Sequence, residues 1–161
     1  MCNKTHGCIT ESRCHHLWDK KITMIFVDTG AWIAVTDTSD QYHRQAVEMY
    51  SLLKKQRKRF VTTDYVIDEA VTRLGYDAGH PSALRYLDLL ALAQEKGTLR
   101  VVYNTEAIFQ KTIAVFRRYD TADVSLTDCV SFVVCQQLEI LYAFSFDKHF
   151  PIMGISLCAL P

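Results

Sequence analysis

A chain of 161 residues is long enough for one domain with its own core and short for two. Its 18 Lys and Arg balance 18 Asp and Glu, so no whole-protein field draws nucleic acid or an anionic membrane, and any polyanion site has to be local. A 49% hydrophobic content with only 6 Gly and 3 Pro excludes disordered and collagen-like chains, and no apolar run approaches the roughly 20 residues that cross a bilayer.

Residues 1–23 show neither helical nor strand periodicity. They hold Cys2, Cys8 and Cys14 with His6, His15 and His16, but this even spacing lacks the short Cys pairs of common structural zinc sites. The segment reads as a disordered extension, or as upstream sequence read from too early a start, because Met24 stands directly before the first strand. The domain is then residues 24–161, and deleting 1–23 is expected to leave it folded. With no apolar signal core at the N-terminus, a soluble cytoplasmic protein is expected. Cys129, Cys135 and Cys158 fall in apolar segments and read as buried thiols in a reducing compartment.

From Met24 the elements follow in order. Met24-Ile25-Phe26-Val27 is an apolar run ended by Asp28-Thr29-Gly30, as a strand buried on both faces ends. A short helix through Trp32 and Val35 comes next, then a helix marked by Ala46, Met49, Tyr50 and Leu53 and closed by the basic run Lys54 to Arg59. Phe60-Val61-Thr62 is the second strand. Val66, Ile67, Ala70, Val71 and Leu74 mark a helix stopped at Gly75, and His80-Pro81 opens another that runs to Lys96-Gly97. Leu99 to Val102 is the third strand, followed by helices starting near Asn104 and at Ser125. Tyr142 to Phe146 is the fourth strand and Ile155 to Leu157 the fifth. Strands alternating with helices require crossover connections, so the expected fold is α/β, with a mostly parallel sheet of four to five strands and helices on both faces.

Function in such sheets gathers at the carboxyl ends of the strands. Asp28 ends the first strand, Asp147 follows the fourth, Asp68 and Glu69 lie in the helix after the second, and Asp128 lies in the first turn of the helix before the fourth. Carboxylates drawn together cannot all remain ionised without a cation, and an oxygen-only set selects hard ions such as Mg2+ or Mn2+. Each acid also has a structural explanation. Asp28 is placed to cap the following helix, Asp128 forms a Ser-x-x-Asp capping box with Ser125, and Asp147 is placed to start a turn. On a helical wheel Asp68 and Glu69 flank the apolar stripe equally, so spacing does not choose between them.

Four pieces, in order, resemble the PIN-domain ribonucleases, and among them the VapC-type toxins of toxin–antitoxin pairs. They are Phe26-Val27-Asp28-Thr29-Gly30, Thr62-Thr63-Asp64-Tyr65-Val66-Ile67-Asp68-Glu69, Ser125-Leu126-Thr127-Asp128-Cys129 and Phe144-Ser145-Phe146-Asp147-Lys148-His149-Phe150. The resemblance implies a PIN-like three-layer fold and Mg2+-dependent endoribonuclease activity, with Mn2+ able to substitute. It implies that Asp28, Glu69 and Asp128 are metal ligands and that Asp147 is the fourth acid, with Ser125 and Thr127 as supporting hydroxyls. It also selects Glu69 over Asp68, which is expected to point away. The expected partners are an RNA substrate, a cognate antitoxin protein where one exists, and a second copy of the chain in a homodimer, with no membrane.

Three other readings compete. Asp28-Thr29-Gly30 also resembles the loop of aspartic proteases, but those need a strand-rich body and a second such loop. A haloacid dehalogenase-type phosphatase needs an acid where Gly30 stands. A module that binds RNA or protein without catalysis would use the basic run Lys54 to Arg59, which otherwise reads as a solvated helix end favoured by the dipole. Arg117 and Arg118 are weaker candidates for such contacts. Trp32, Tyr42 and Tyr65 read as core or dimer contacts before base-stacking platforms, and His43, His80 and His149 as surface or supporting residues, with His149 close in sequence to Asp147.

Overall fold

The first strand, β1 (Met24–Val27), is apolar throughout, and Ile25, Phe26 and Val27 are buried. It leads into α1 (Thr29–Thr36) and α2 (His43–Lys55), then β2 (Arg59–Thr63), α3 (Asp64–Asp77), α4 (His80–Glu95) and β3 (Leu99–Val102). The chain returns through α5 (Glu106–Arg118) and α6 (Leu126–Gln137) to β4 (Tyr142–Phe144), and ends with α7 (His149–Ile152) and β5 (Ser156–Leu157). The computed structural model describes residues 23–119 and 123–160. The extension expected at residues 1–23, with its Cys and His, thus lies outside the described residues except for Thr23.

The sheet order is β3-β2-β1-β4-β5, and every pairing is parallel. Phe26 lies opposite Val61 on one side and Ala143 on the other. From β1 the chain moves outward to β2 and β3, then crosses back to β4 on the other side of β1. Right-handed crossovers in opposite directions put α1 to α4 on one face and α5 and α6 on the other. The reversal also makes the gap between the carboxyl ends of β1 and β4 the switch point, where this sheet type leaves a crevice.

The helices are covered to different extents. Helix α1 buries Ala31, Trp32, Ile33 and Ala34, which makes it apolar nearly all round. The Trp32 indole N–H donates to the Thr62 hydroxyl at 3.2 Å, and that hydroxyl donates to the Val27 carbonyl at 2.9 Å. This chain of bonds fixes α1 against β2 and β1, while the Trp32 ring packs on Tyr86 with centroids 5.8 Å apart. On α2 only one stripe is covered, with Ala46, Met49 and Leu53 buried. Beside α6, Phe150 of α7 is fully buried and meets Phe26 at 5.9 Å and Phe132 at 5.3 Å.

Several boundaries differ from expectation. Helix α3 passes through Gly75 to Asp77, because Gly75 is exposed and keeps ordinary helical geometry. The break falls at Gly79, whose φ of 82° turns the chain into α4. Strand β4 stops at Phe144, where the Asp28 N–H takes the Phe144 carbonyl at 3.1 Å and Ser145 turns its side chain to other partners. Helix α7 was not anticipated; a single turn has too little periodicity to register, and the burial of Phe150 holds it. Cys129 and Cys135 are buried as expected, whereas Cys158 is only partly covered. Among the described residues, no helix is long and apolar enough to cross a membrane.

Candidate active site

Asp28 leaves β1 with extended backbone, at ψ 165°, and occupies the N-cap position of α1 without making a side-chain cap bond. Its carboxylate turns instead across the switch point. There Ser145, just past β4, donates its hydroxyl to Asp28 Oδ2 at 2.8 Å. The same Ser145 oxygen accepts the Asp147 backbone N–H at 2.9 Å. One hydroxyl therefore ties the acid after β1 to the turn that carries the acid after β4.

Burial of Asp28 pushes its carboxyl up to about 7 from an ordinary 3.8. The Ser145 hydroxyl and the Thr29 N–H oppose the rise, and the negative charges of Asp128 and Asp147 add to it. Carboxylates from three separate segments thus act on one another at this edge. Glu69 joins them through Thr29, whose hydroxyl donates to Glu69 Oε2 at 3.2 Å, whereas Asp68 is exposed. Arg73 approaches Glu69 Oε1 only at 3.9 Å and is half exposed, a weak pairing.

The local explanations hold for Asp128 and Asp147 but not for Asp28, which makes no side-chain cap bond. Ser125 and Asp128 form a complete capping box: Asp128 Oδ2 accepts the Ser125 N–H and hydroxyl, both at 2.8 Å, and the Ser125 oxygen accepts the Asp128 N–H at 3.1 Å. Thr127 engages through its carbonyl, which accepts the Ser131 hydroxyl at 2.9 Å. Asp147 starts a turn, with its Oδ1 accepting the His149 N–H at 3.0 Å and lying 2.7 Å from His149 Nδ1. Tyr42, more exposed than Trp32, stacks on Phe146 beside this turn with centroids 4.5 Å apart. Tyr65 packs partly buried against the core.

Among the described residues, no three His, Cys, Asp or Glu side chains stand in ready metal-binding geometry. Like charges without a cation repel, and each acid has instead taken a local donor. The donor set still fits a hard cation. Ser145, Ser125 and His149 orient the carboxylates of Asp28, Asp128 and Asp147, and an oxygen-donor set of this kind would suit a hard ion such as Mg2+ or Mn2+. A cation would also relieve the burial and repulsion that raise Asp28.

Ser145 is the residue that sequence reasoning missed; its only signal was a hydroxyl between Phe144 and Phe146 just ahead of Asp147. Ser145→Ala is expected to cost about 1–3 kcal/mol by stranding the Asp147 N–H and weakening the hold on Asp28. The loss should be larger at pH 8 than at pH 5, since bonds to an ionised acceptor are stronger. Urea melts at both pH values check this, with Ser145→Thr expected to restore wild-type stability.

The aspartic-protease reading fails on the fold, because an all-parallel sheet with helices carries Asp28-Thr29-Gly30 here. A curated relative from two Mycobacterium tuberculosis strains, the 23S rRNA-specific endonuclease VapC20, is 28% identical over 131 residues, covering 81% of this chain and 95% of its own. The crystal structure of Mycobacterium tuberculosis VapC20, described as a Sarcin-Ricin loop cleaving toxin, superposes with a TM-score of 0.72 at 25% identity, over 81% of this chain and 95% of that one. Residues 25–155 match the PIN domain model, a span that contains all four acids, and the chain belongs to the PIN domain family.

Proposed function

We propose that this PIN domain is a metal-dependent endoribonuclease that hydrolyses RNA phosphodiesters with Asp28, Glu69, Asp128 and Asp147, and that it is the toxin of a toxin–antitoxin pair. The observation that carries this reading is the buried Asp28 at the switch point, raised by its own burial and by two neighbouring acids. Such a group is costly in the free protein and useful once a cation neutralises it. The named activity of the VapC20 relatives supports RNA as the substrate class.

Mg2+ or Mn2+, when bound, would supply Lewis-acid stabilisation of the phosphoryl oxygens and ease deprotonation of an attacking water. Asp28, Glu69 and Asp128 would hold the ion from three segments. Ser145 keeps Asp28 aimed across the crevice, and the Ser125 capping box fixes Asp128. Asp147, oriented by His149, would support a second ion or accept a hydrogen bond from the attacking water. Thr29 positions Glu69. A cognate antitoxin and a homodimer belong to the same reading, as does a cytoplasmic setting.

The test is cleavage of an RNA hairpin carrying the sarcin–ricin loop, with Mg2+, with Mn2+ and with chelator. Cleavage is expected only with a divalent ion, and Glu69→Gln and Asp128→Asn are expected to lose it while still binding the hairpin. Because Asn keeps hydrogen-bonding capacity at the capping box, Asp128→Asn should change stability by no more than about 1 kcal/mol. Cleavage that survives full chelation would refute the proposal.

A further inference from the structure

The basic run at the end of α2 does more in three dimensions than cap a helix. Lys54, Arg57, Lys58 and Arg59 line a pocket of about 370 Å3 together with Lys96 and Thr98 from the end of α4. The described residues that line it thus bring five cationic side chains together. The Arg59 guanidinium, at the start of β2, donates to the Gly97 carbonyl in the turn after α4. Helix dipoles favour a cation or two at each C-terminus, worth a few tenths to about 1 kcal/mol apiece. They do not account for five cations from two distant stretches of chain around one concavity, where like charges repel.

The position matters as much as the charge. Arg59 starts β2 and Thr98 directly precedes β3, so the pocket lies at the amino ends of the strands. The acids lie at the carboxyl ends, about 16 Å away along a strand of five residues. A chain with zero formal charge has therefore placed acids at one edge of its sheet and a basic pocket at the other.

We propose that this pocket is a second RNA-binding site that takes backbone phosphates of the substrate at a distance from the bond that is cut. Hydrated Lys and Arg side chains around an open concavity suit phosphodiesters, which offer several acceptors and release counterions on binding. The inference rests on the ribonuclease reading, because it needs RNA to be the ligand. A substrate long enough to reach from the acids to the opposite edge would be held at both places, and the linkage would raise affinity without altering the chemistry.

The test uses the full chain and two RNAs: a minimal hairpin that covers only the acidic edge, and the same hairpin with an extended stem. Binding is read by fluorescence anisotropy in chelator, over a range of salt, so that it does not depend on cleavage. The variant Lys54→Gln/Arg57→Gln/Lys96→Gln changes only exposed side chains. It is expected to bind the extended RNA about tenfold more weakly and to lower the slope of log Kd against log salt by about 2 to 3. Binding of the minimal hairpin, and its cleavage rate with Mg2+, are expected to stay at wild-type values. Arg117→Gln/Arg118→Gln, which removes cations from the last turn of α5, is the control and should change neither RNA. Equal losses on both RNAs, or no greater loss than the control shows, would overturn the second site while leaving the ribonuclease reading intact. Wild-type protein that bound neither RNA would overturn both.

Discussion

Asp28→Asn is expected to lower RNA cleavage by about a thousandfold or more, and at pH 8 to raise the melting temperature of the metal-free protein. The two effects have one cause. Asn keeps the size of the side chain and an acceptor for the Ser145 hydroxyl, but removes a charge that is buried and faces Asp128 and Asp147. With the folded carboxyl raised to about 7, the stability of the neutral acid is fully present below 3.8, where the unfolded chain also holds its proton. It is lost as the pH climbs through about 7, because the folded protein must then carry the buried charge. The interval between 3.8 and about 7 corresponds to about 4 kcal/mol. Wild type and variant should therefore melt alike near pH 4 and differ by about 10 °C at pH 8. A buried acid that weakens the fold it belongs to is the stability cost expected of a functional site.

Trp32→Ala is expected to destabilise the protein by about 3–5 kcal/mol, much of the roughly 5–15 kcal/mol available to a domain. The ring is fully buried between Tyr86 and Tyr50, and its indole N–H is the donor that Thr62 accepts. Truncation leaves a cavity under α1, whose first turn follows Asp28. A urea titration reads the loss as a lower midpoint at unchanged slope. Trp32→Phe, which fills most of the cavity but lacks the N–H, should recover about half of it.

The central strand and its acid were legible because burial on both faces writes a continuous apolar run, and Asp28 ends that run. The capping box of Ser125 and Asp128 was legible because its reciprocal bonds span three residues. What escaped the sequence depends on partners far apart in the chain. The wheel of α3 leaves Asp68 and Glu69 equivalent, and what distinguishes them in the fold is a bond to Glu69 from Thr29, forty residues earlier. Ser145 was hidden because one hydroxyl in an apolar run has no period, and its partner Asp28 lies 117 residues away. Gly75 misplaced the end of α3, since a glycine shows where a helix can stop and a positive φ, here at Gly79, shows where it does. The basic run read as a helix end until Lys96, from another helix, closed the pocket around it.

Thermal melting of wild type and Asp28→Asn at pH 8, with and without Mn2+, tests most directly whether these acids form a cation site. Mn2+ is expected to raise the wild-type melting temperature and erase the loss of stability above pH 7, while leaving Asp28→Asn unchanged. An equal shift in both proteins, or none in wild type, would contradict a cation site built on Asp28.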